Sequence, residues 1–217
     1  MYNPPLFREQ RLDVLERTMA QSPLATLVTL GSDGLCISQL PLLYSAATGT
    51  SGTLRGHMAR ANSQWRSYDI NTAALAIFRG PDHYISPSWY VAKAEHGMVV
   101  PTWNYVTIEA RGHMRVIEDR DWILANVREL TASQEQAFEN PWRVEDAPSE
   151  FIEKLLHSII GVEIELDSLE GKWKMSQNRS RADRAGIVDG LATLGSRRAL
   201  EVADLVASLN AEPATND

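Results

Sequence analysis

The feature that most constrains the fold is an aromatic-rich segment at residues 78–114. Aromatic side chains at this density favour pleated strands, where large rings pack on a half-buried surface. Residues 105–111 alternate between polar or aromatic and apolar side chains, the pattern of a half-buried strand. Residues 91–101 hold small and polar groups and predict a loop. The segment therefore predicts two strands around a loop, forming either a floor for a flat ring or an ordinary core.

The rest of the chain predicts an antiparallel barrel with peripheral helices. Ser32-Asp33-Gly34 is a tight-turn signal between two apolar runs, which favours a hairpin. Most predicted strands precede residue 118, and repeated βαβ units are absent, so the fold class is mainly β (α+β). Further strands are predicted at 24–30, 35–44, 53–58, 73–78 and 161–169. Helices are predicted at 8–20, 59–68, 120–136, 150–157 and 196–209, with a short one beginning near Ser180. Residues 1–210 are expected to form one domain, residues 45–52 a flexible loop, and residues 211–217 a disordered tail.

Composition predicts a cytoplasmic protein. The 217 residues are 44% hydrophobic, enough for a core without disulfides or metal. The single cysteine, Cys36, lies in an apolar run and cannot form an internal bridge, which favours a reducing compartment. No run approaches the roughly 18 apolar residues of a membrane span, and the N-terminus lacks the apolar region of a signal peptide. We therefore expect no membrane partner.

The acidic balance disfavours a broad nucleic-acid interface. The net charge of −7 argues against the kind of phosphate-binding surface that nonspecific DNA binders use. It leaves room for a local basic patch, and the densest candidate is the segment 172–184, with five cations and one Asp. This segment predicts either a solvated turn or a ligand-facing cluster.

Familiar catalytic and metal motifs are absent from the sequence. The five histidines show no metal-ligand spacing. Neither a dinucleotide-binding glycine motif nor a P-loop is present, and Ser86 and Ser88 do not form a nucleophile elbow. No catalytic side chain can be named, and no metal site is predicted.

Three short segments carry residues suited to ligand binding. In LRGHMARANSQW at 54–65 a strand is predicted to run into a helix start, where backbone N–H groups favour anions and Arg60 offers a two-pronged donor. In PTWNY, Trp103 could lie against a ring, and the Asn104 amide both donates and accepts. In KMSQNR, polar groups cluster at a predicted strand end. The alternative for the first segment is a surface junction, for the second a barrel core, and for the third a solvated turn.

Five segments, in order along nearly the whole chain, resemble signature motifs of the PaiB family of FMN-binding split-barrel proteins. They are MYNPPLFRE at the start, LRGHMARANSQW at 54–65, ISPSWY at 85–90, VPTWNY at 100–105 and KMSQNRSRADRAGIVDGL at 174–191. The resemblance implies an antiparallel FMN-binding split β-barrel. It also implies a homodimer with the flavin at the dimer interface.

The resemblance further implies three groups of cofactor-binding residues. The first would hold the FMN phosphate and ribityl chain: His57, Met58, Ala59, Arg60 and Asn62. The second would contact the ring and its pyrimidine edge: Thr102, Trp103 and Asn104. The third would contribute from the partner side: Lys174, Gln177 and Asn178.

Two functions follow from the resemblance. The family name is tied to negative control of transcription, so the first is an FMN-binding transcriptional regulator. Direct DNA binding is poorly supported, because Gly186, Gly190 and Gly195 make a poor recognition helix. The alternative is an FMN-dependent oxidoreductase without a DNA role, such as a flavin or quinone reductase or a pyridoxamine-phosphate-oxidase-like enzyme. In either case the flavin would carry any chemistry.

Overall fold

A computed structural model describes residues 1–46 and 51–211. Residues 47–50 of the predicted 45–52 loop, and residues 212–217 of the predicted disordered tail, lie outside this part of the chain. The prediction that residues 1–210 form one domain stays a prediction.

Eight strands in the described residues form one sheet whose paired strands are antiparallel, as predicted. The strand order is β3-β2-β6-β7-β8-β5-β4, and β1 pairs with β8. The strands are β1 Arg8–Glu9, β2 Leu24–Gly31, β3 Gly34–Pro41, β4 Leu43–Ser45, β5 Thr53–Ala59, β6 Ala74–Ile85, β7 Thr102–Ile117 and β8 Ile159–Lys174. The helices are α1 Leu12–Gln21, α2 Gln64–Ser67, α3 Ala92–Glu95, α4 Arg120–Glu135, α5 Ser149–His157, α6 Arg181–Leu194 and α7 Arg197–Ala211.

The β2–β3 hairpin follows the predicted turn. Gly31 pairs with Gly34 across a two-residue connection, and Gly34 has a φ of 111°, which a residue with a Cβ adopts only with strain. The predicted return strand at 35–44 is interrupted, because β3 ends at Pro41 and β4 begins at Leu43. Proline has no N–H to continue the ladder.

Strand β8 is longer than the alternation at 161–169 predicted, and it continues to Lys174. The extension is paired: Arg8 lies opposite Lys172 and Glu9 opposite Gly171 in the β1–β8 ladder. A pairing between residues so far apart in sequence overrides the local pattern, which becomes basic and less regular near Gly171. Lys172 and Lys174 therefore belong to a strand, and the solvated-turn interpretation was wrong for them.

Contacts divide the chain into two compact units. The large unit comprises residues 11–78 and 108–170. Within it β5 pairs with β8 from Thr53↔Glu165 to Ala59↔Ile159. A cluster of Ile123, Leu124, Val144 and Leu156 forms part of its apolar interior.

The small unit comprises residues 1–10, 79–107 and 171–217, described as far as residue 211. Its core holds Ile85, Tyr90, Val106, Met175, Ile187, Leu191, Ala199, Val202, Ala203 and Val206. Helix α6 begins at the Ser180 cap, whose Oγ accepts from Asp183 N at 3.1 Å, and ends at Gly195 with a φ of 64°. A longer helix than the short one predicted near Ser180 thus packs in this core.

Candidate functional site

In the large unit, the predicted phosphate-binding segment runs from β5 into α2. Met58 is buried and Ala59 is exposed. His57 is partly buried, and Asn126 Nδ2 of α4 lies 3.5 Å from its Nδ1. Burial lowers the pKa of the His57 imidazole below its ordinary value of 6.5. The buried surroundings of His57 therefore favour the neutral imidazole.

Arg60 follows β5 and is held by three groups. Its backbone N–H donates to Ser158 O at 2.8 Å, and its Nε donates to His157 O at 3.2 Å. Its Nη1 lies 3.1 Å from Glu118 Oε2, and the two side chains are 34% and 67% exposed. An ion pair this exposed is weak, so a phosphate could replace Glu118 as the partner of the guanidinium.

Asn62 supports the same segment from within. Its Nδ2 donates to Ser38 Oγ at 2.8 Å, and its Oδ1 accepts from Gln64 N at 3.0 Å. Ser38 Oγ donates to Gln64 Oε1 at 2.5 Å, and the buried Gln64 Nε2 donates to Thr29 Oγ1 at 3.0 Å. No local signal in the sequence marks Ser38 or Gln64, since these bonds join the β2–β3 hairpin to the segment 62–64, which is distant in sequence. Because α2 has only four residues, it contributes little helix dipole.

In the small unit, the predicted ring-contacting residues lie at the start of β7. Trp103 is 54% exposed, and the ring of Tyr84 meets it edge-on at 6.1 Å between centroids with an interplanar angle of 73°. Such edge-to-face pairs are a preferred aromatic geometry. Trp103 therefore presents a braced aromatic surface to solvent.

The structure brings the second and third predicted groups together. Lys174 Nζ donates to Thr102 Oγ1 and, at 2.7 Å, to Trp103 O. Ser176 Oγ donates to Asn104 Oδ1 at 2.9 Å. These contacts tie the end of β8 to the start of β7 within the small unit.

Asn104 has no exposed surface. Its Nδ2 has no acceptor among the described residues, and an unpaired buried donor is unfavourable by about 1–3 kcal/mol. Its bonding partner Ser176 has a φ of 61°, an uncommon conformation for a residue other than glycine. Asn104 would therefore act on a ligand by fixing the Ser176 turn rather than by direct contact.

The remaining predicted residues, Gln177 and Asn178, differ in how far their side chains are open to a ligand. Gln177 is engaged locally, because its Oε1 accepts from Met175 N at 2.7 Å and its Nε2 donates to Trp173 O at 2.5 Å. Asn178 is exposed. Of these two, only Asn178 presents its side chain freely to solvent.

The small unit also carries three cationic side chains, those of Lys172, Lys174 and Arg179. Lys172 is 8% exposed, donates to Tyr2 O at 2.8 Å, and lies 5.5 Å from the Tyr2 ring centroid and 5.4 Å from that of Tyr105. The Arg179 guanidinium lies 4.7 Å from the Tyr90 ring centroid.

The third cation, Lys174, titrates abnormally. Burial lowers the pKa of its ammonium below the ordinary value of 10.5, and the charges of Lys172 and Arg179 lower it further.

Residues 1–46 and 51–211 contain neither a metal-binding cluster nor a membrane-spanning helix. No group of three or more His, Cys, Asp or Glu side chains there is arranged to hold a metal ion. None of the helices in that part of the chain combines the length and apolarity needed to cross a membrane.

Comparison with known families gives the site its context. Residues 1–168 match the family described as "Putative FMN-binding domain". The chain belongs to this FMN-binding family. The match includes the Arg60 segment and Trp103, and it ends before Lys172.

Two relatives align over nearly their full lengths. An uncharacterised protein of Emericella nidulans is 31% identical, with 95% of this chain and 96% of the relative covered. The Protease synthase and sporulation protein PAI 2 of Bacillus subtilis is 26% identical, again with 95% of this chain and 96% of the relative covered. The resemblance to the PaiB family is confirmed.

Solved structures confirm the split-barrel fold class. The flavocytochrome Anf3 from Azotobacter vinelandii superposes with a TM-score of 0.58 at 9% identity, over 82% of this chain and 75% of that one. The FAD and heme binding protein from Mycobacterium smegmatis gives a TM-score of 0.57 at 14% identity, over 82% and 78%. At these identities the likeness concerns the fold alone.

Proposed function

We propose that this protein binds FMN noncovalently and acts as a negative regulator of transcription of the PaiB type. The observation that carries the flavin part is the exposed Trp103 ring, braced by Tyr84, in a chain that belongs to an FMN-binding family. A surface tryptophan held in one orientation offers a flat contact at low entropic cost. When bound, FMN supplies electron-transfer chemistry that the side chains lack.

Each of the two units carries side chains that suit one part of FMN. In the small unit, Trp103 offers a ring contact, and the ammonium of Lys174, which donates to Thr102 and Trp103, offers a positive charge. In the large unit, Arg60 offers a guanidinium whose partner Glu118 is exposed and replaceable. We propose ring binding by Trp103 and, as a separate proposal, phosphate binding by Arg60.

The regulatory part is supported by the relative named for protease synthesis and sporulation. Direct DNA reading by α6 is disfavoured, because a Cβ at Gly186 would lie 2.0 Å from Trp89 O and one at Gly190 2.4 Å from the Trp89 ring. These glycines admit Trp89 to the helix surface, so this face of α6 is used for packing. We therefore propose that regulation operates through a protein partner.

We further propose a homodimer with the flavin at its interface. In the large unit, cross-strand pairs place apolar side chains on one face of β3, β2 and β6. Leu35 is 72% exposed and Ile37 63% exposed, which is unusual for adjacent apolar residues on one strand face. The members of this apolar face are Val28, Leu30, Leu35, Ile37, Leu75 and Ile77.

Flavin titration with two ligands tests the binding assignment. Trp103→Ala should weaken both FMN and riboflavin, because both carry the ring. Arg60→Met should weaken FMN by about tenfold or more and leave riboflavin unchanged, because only FMN has the phosphate. Arg66→Met is the matched control, since the Arg66 guanidinium stacks on Trp65 at 4.4 Å and is assigned no ligand. Equal losses of FMN and riboflavin in Arg60→Met would remove Arg60 from the phosphate site.

Two assays separate the regulator from the oxidoreductase. Transcript levels in the native host, with the wild-type gene and with Trp103→Ala, should differ if flavin binding controls transcription. Steady consumption of NADH or NADPH by the FMN-loaded protein, with unchanged transcripts, would instead support the FMN-dependent oxidoreductase.

A further inference from the structure

Lys172, Lys174 and Arg179 form no ion pair with a carboxylate in the described part of the chain. Their polar contacts are to uncharged oxygens: Lys172 donates to Tyr2 O, and Lys174 donates to Thr102 Oγ1 and Trp103 O. In the described residues, ten arginines each lie within 4 Å of a carboxylate. The cation cluster formed by Lys172, Lys174 and Arg179 differs from these arginines, although the chain has an excess of acidic residues.

The cluster is also partly removed from water. Lys172 is buried, and burial is the main cause of the lowered pKa of Lys174. The nearby carboxylate, Asp183, is buried and accepts from Ala92 N at 3.0 Å. Like charges that are desolvated together without a counter-ion oppose folding. An anion that bound here would relieve this repulsion.

Aromatic rings flank the three charges. Lys172 lies between the rings of Tyr2 and Tyr105, Lys174 lies 5.9 Å from the Tyr105 centroid, and Arg179 lies over Tyr90. Contact with a ring face stabilises a cation modestly but leaves its charge in place. The rings therefore hold the three cations in position without neutralising them.

We propose that Lys172, Lys174 and Arg179 form a binding subsite for an oxyanion, a phosphate or carboxylate group carried by a small ligand. The N-terminal segment is part of this subsite, because Tyr2 supplies both a carbonyl and a ring to Lys172. The subsite is separate in sequence and in compact unit from Arg60, to which the FMN phosphate is assigned above. The inference stands without flavin binding, since it concerns only the charge on the protein.

Pyrophosphate binding tests the proposal. Wild-type protein should bind inorganic pyrophosphate saturably in isothermal titration calorimetry, against sodium chloride of equal ionic strength. Lys174→Met should weaken binding by about tenfold or more, because a charge-assisted hydrogen bond is lost. Lys174→Arg, which keeps the charge, should retain most of it. Lys172→Met provides a second variant, and thermal unfolding checks that each protein is folded.

The control is Lys154→Met, an exposed lysine of the large unit with the same change in charge. It should bind pyrophosphate like the wild type. The proposal is overturned if pyrophosphate binds no better than chloride, or if Lys174→Met and Lys172→Met both bind it with wild-type affinity.

Titrations with FMN and riboflavin identify the source of the oxyanion. If Lys174→Met weakens FMN more than riboflavin, the subsite takes the phosphate of the cofactor itself. If FMN-loaded protein still binds pyrophosphate through Lys174, the oxyanion belongs to a second ligand. Both results support the subsite. If the flavin assignment is wrong and the subsite is real, neither FMN nor riboflavin will bind, but pyrophosphate still will.

Discussion

At the scale of single residues, His57 has surroundings that favour its neutral form. Its polar neighbour is the Asn126 amide, and Asn126 Oδ1 is buried without a partner in the described residues. On the same two elements, Arg55 of β5 and Glu129 of α4 pair with each other at 2.8 Å. Desolvation is thus left as the dominant influence, and it lowers the pKa of His57.

This environment predicts a loss of stability in acid. The folded pKa lies below the ordinary 6.5, so the unfolded chain binds more protons between the two values. The free energy of unfolding should fall as pH drops through 6.5 and stop falling, for this group, below the folded pKa. Above 6.5 the group contributes nothing. Urea unfolding of wild type and His57→Gln between about pH 8 and about pH 5 measures the effect.

In His57→Gln the fall in stability with acidification should be shallower than in the wild type. His96→Gln, which changes an exposed histidine, is the matched control. Identical slopes in the wild type and His57→Gln would show that His57 does not drive the acid sensitivity.

At the scale of elements, α6 carries glycines where helix propensity alone disfavours them. Glycine in a helix interior is less stable than alanine by about 1 kcal/mol. Gly186 and Gly190 are explained by Trp89, whose carbonyl and ring occupy the space of the missing Cβ atoms.

Gly186→Ala should therefore destabilise the protein, although alanine has a higher helix propensity than glycine. Its Cβ would lie 2.0 Å from a backbone oxygen that cannot move alone, and overpacking of this kind lowers the free energy of unfolding by about 1–3 kcal/mol. Denaturant unfolding monitored by tryptophan fluorescence measures it. Ala185→Gly, at an exposed neighbouring position, gives the size of the propensity effect alone. A stabilised Gly186→Ala variant would contradict the packing of Trp89 on α6.

The apolar face of β3, β2 and β6 makes a prediction about assembly. Ile37→Glu should shift a dimer to monomer, because a charge would have to be buried in the interface. Sedimentation equilibrium measures the mass. Ile70→Glu is the control, since Ile70 is 65% exposed and outside this face, and it should remain dimeric. A dimeric Ile37→Glu variant would place the interface elsewhere.

At the scale of the whole molecule, the sequence predicted elements with local signals and missed those set by distant partners. The helix predicted at 120–136 is confirmed as α4, and the Asp119 carboxylate caps it by accepting from Trp122 N at 2.7 Å. The antiparallel class followed from turn signals. The extension of β8 was missed, because it depends on pairing with Arg8 and Glu9.

In the candidate site, too, features set by distant partners were missed by the sequence. Thr102 and Trp103 were predicted as one group and Lys174 as another, contributed from the partner side, whereas within the chain Lys174 donates hydrogen bonds to Thr102 and Trp103. The burial of Asn104 and the contacts of the Lys172 ammonium with the Tyr2 and Tyr105 rings had no local signal. Both arise where β7, β8 and the N-terminal segment meet within the small unit, which no single stretch of sequence records.

The most direct test of the account is an equilibrium titration of the purified wild-type protein with FMN, followed by gel filtration and an absorption spectrum. Noncovalent FMN binding predicts saturable quenching of tryptophan fluorescence and a flavin band at about 450 nm that elutes with the protein. Trp103→Ala should lose both signals while retaining its circular dichroism. A folded wild-type protein that shows no quenching and elutes without flavin at tens of micromolar FMN would contradict the central claim.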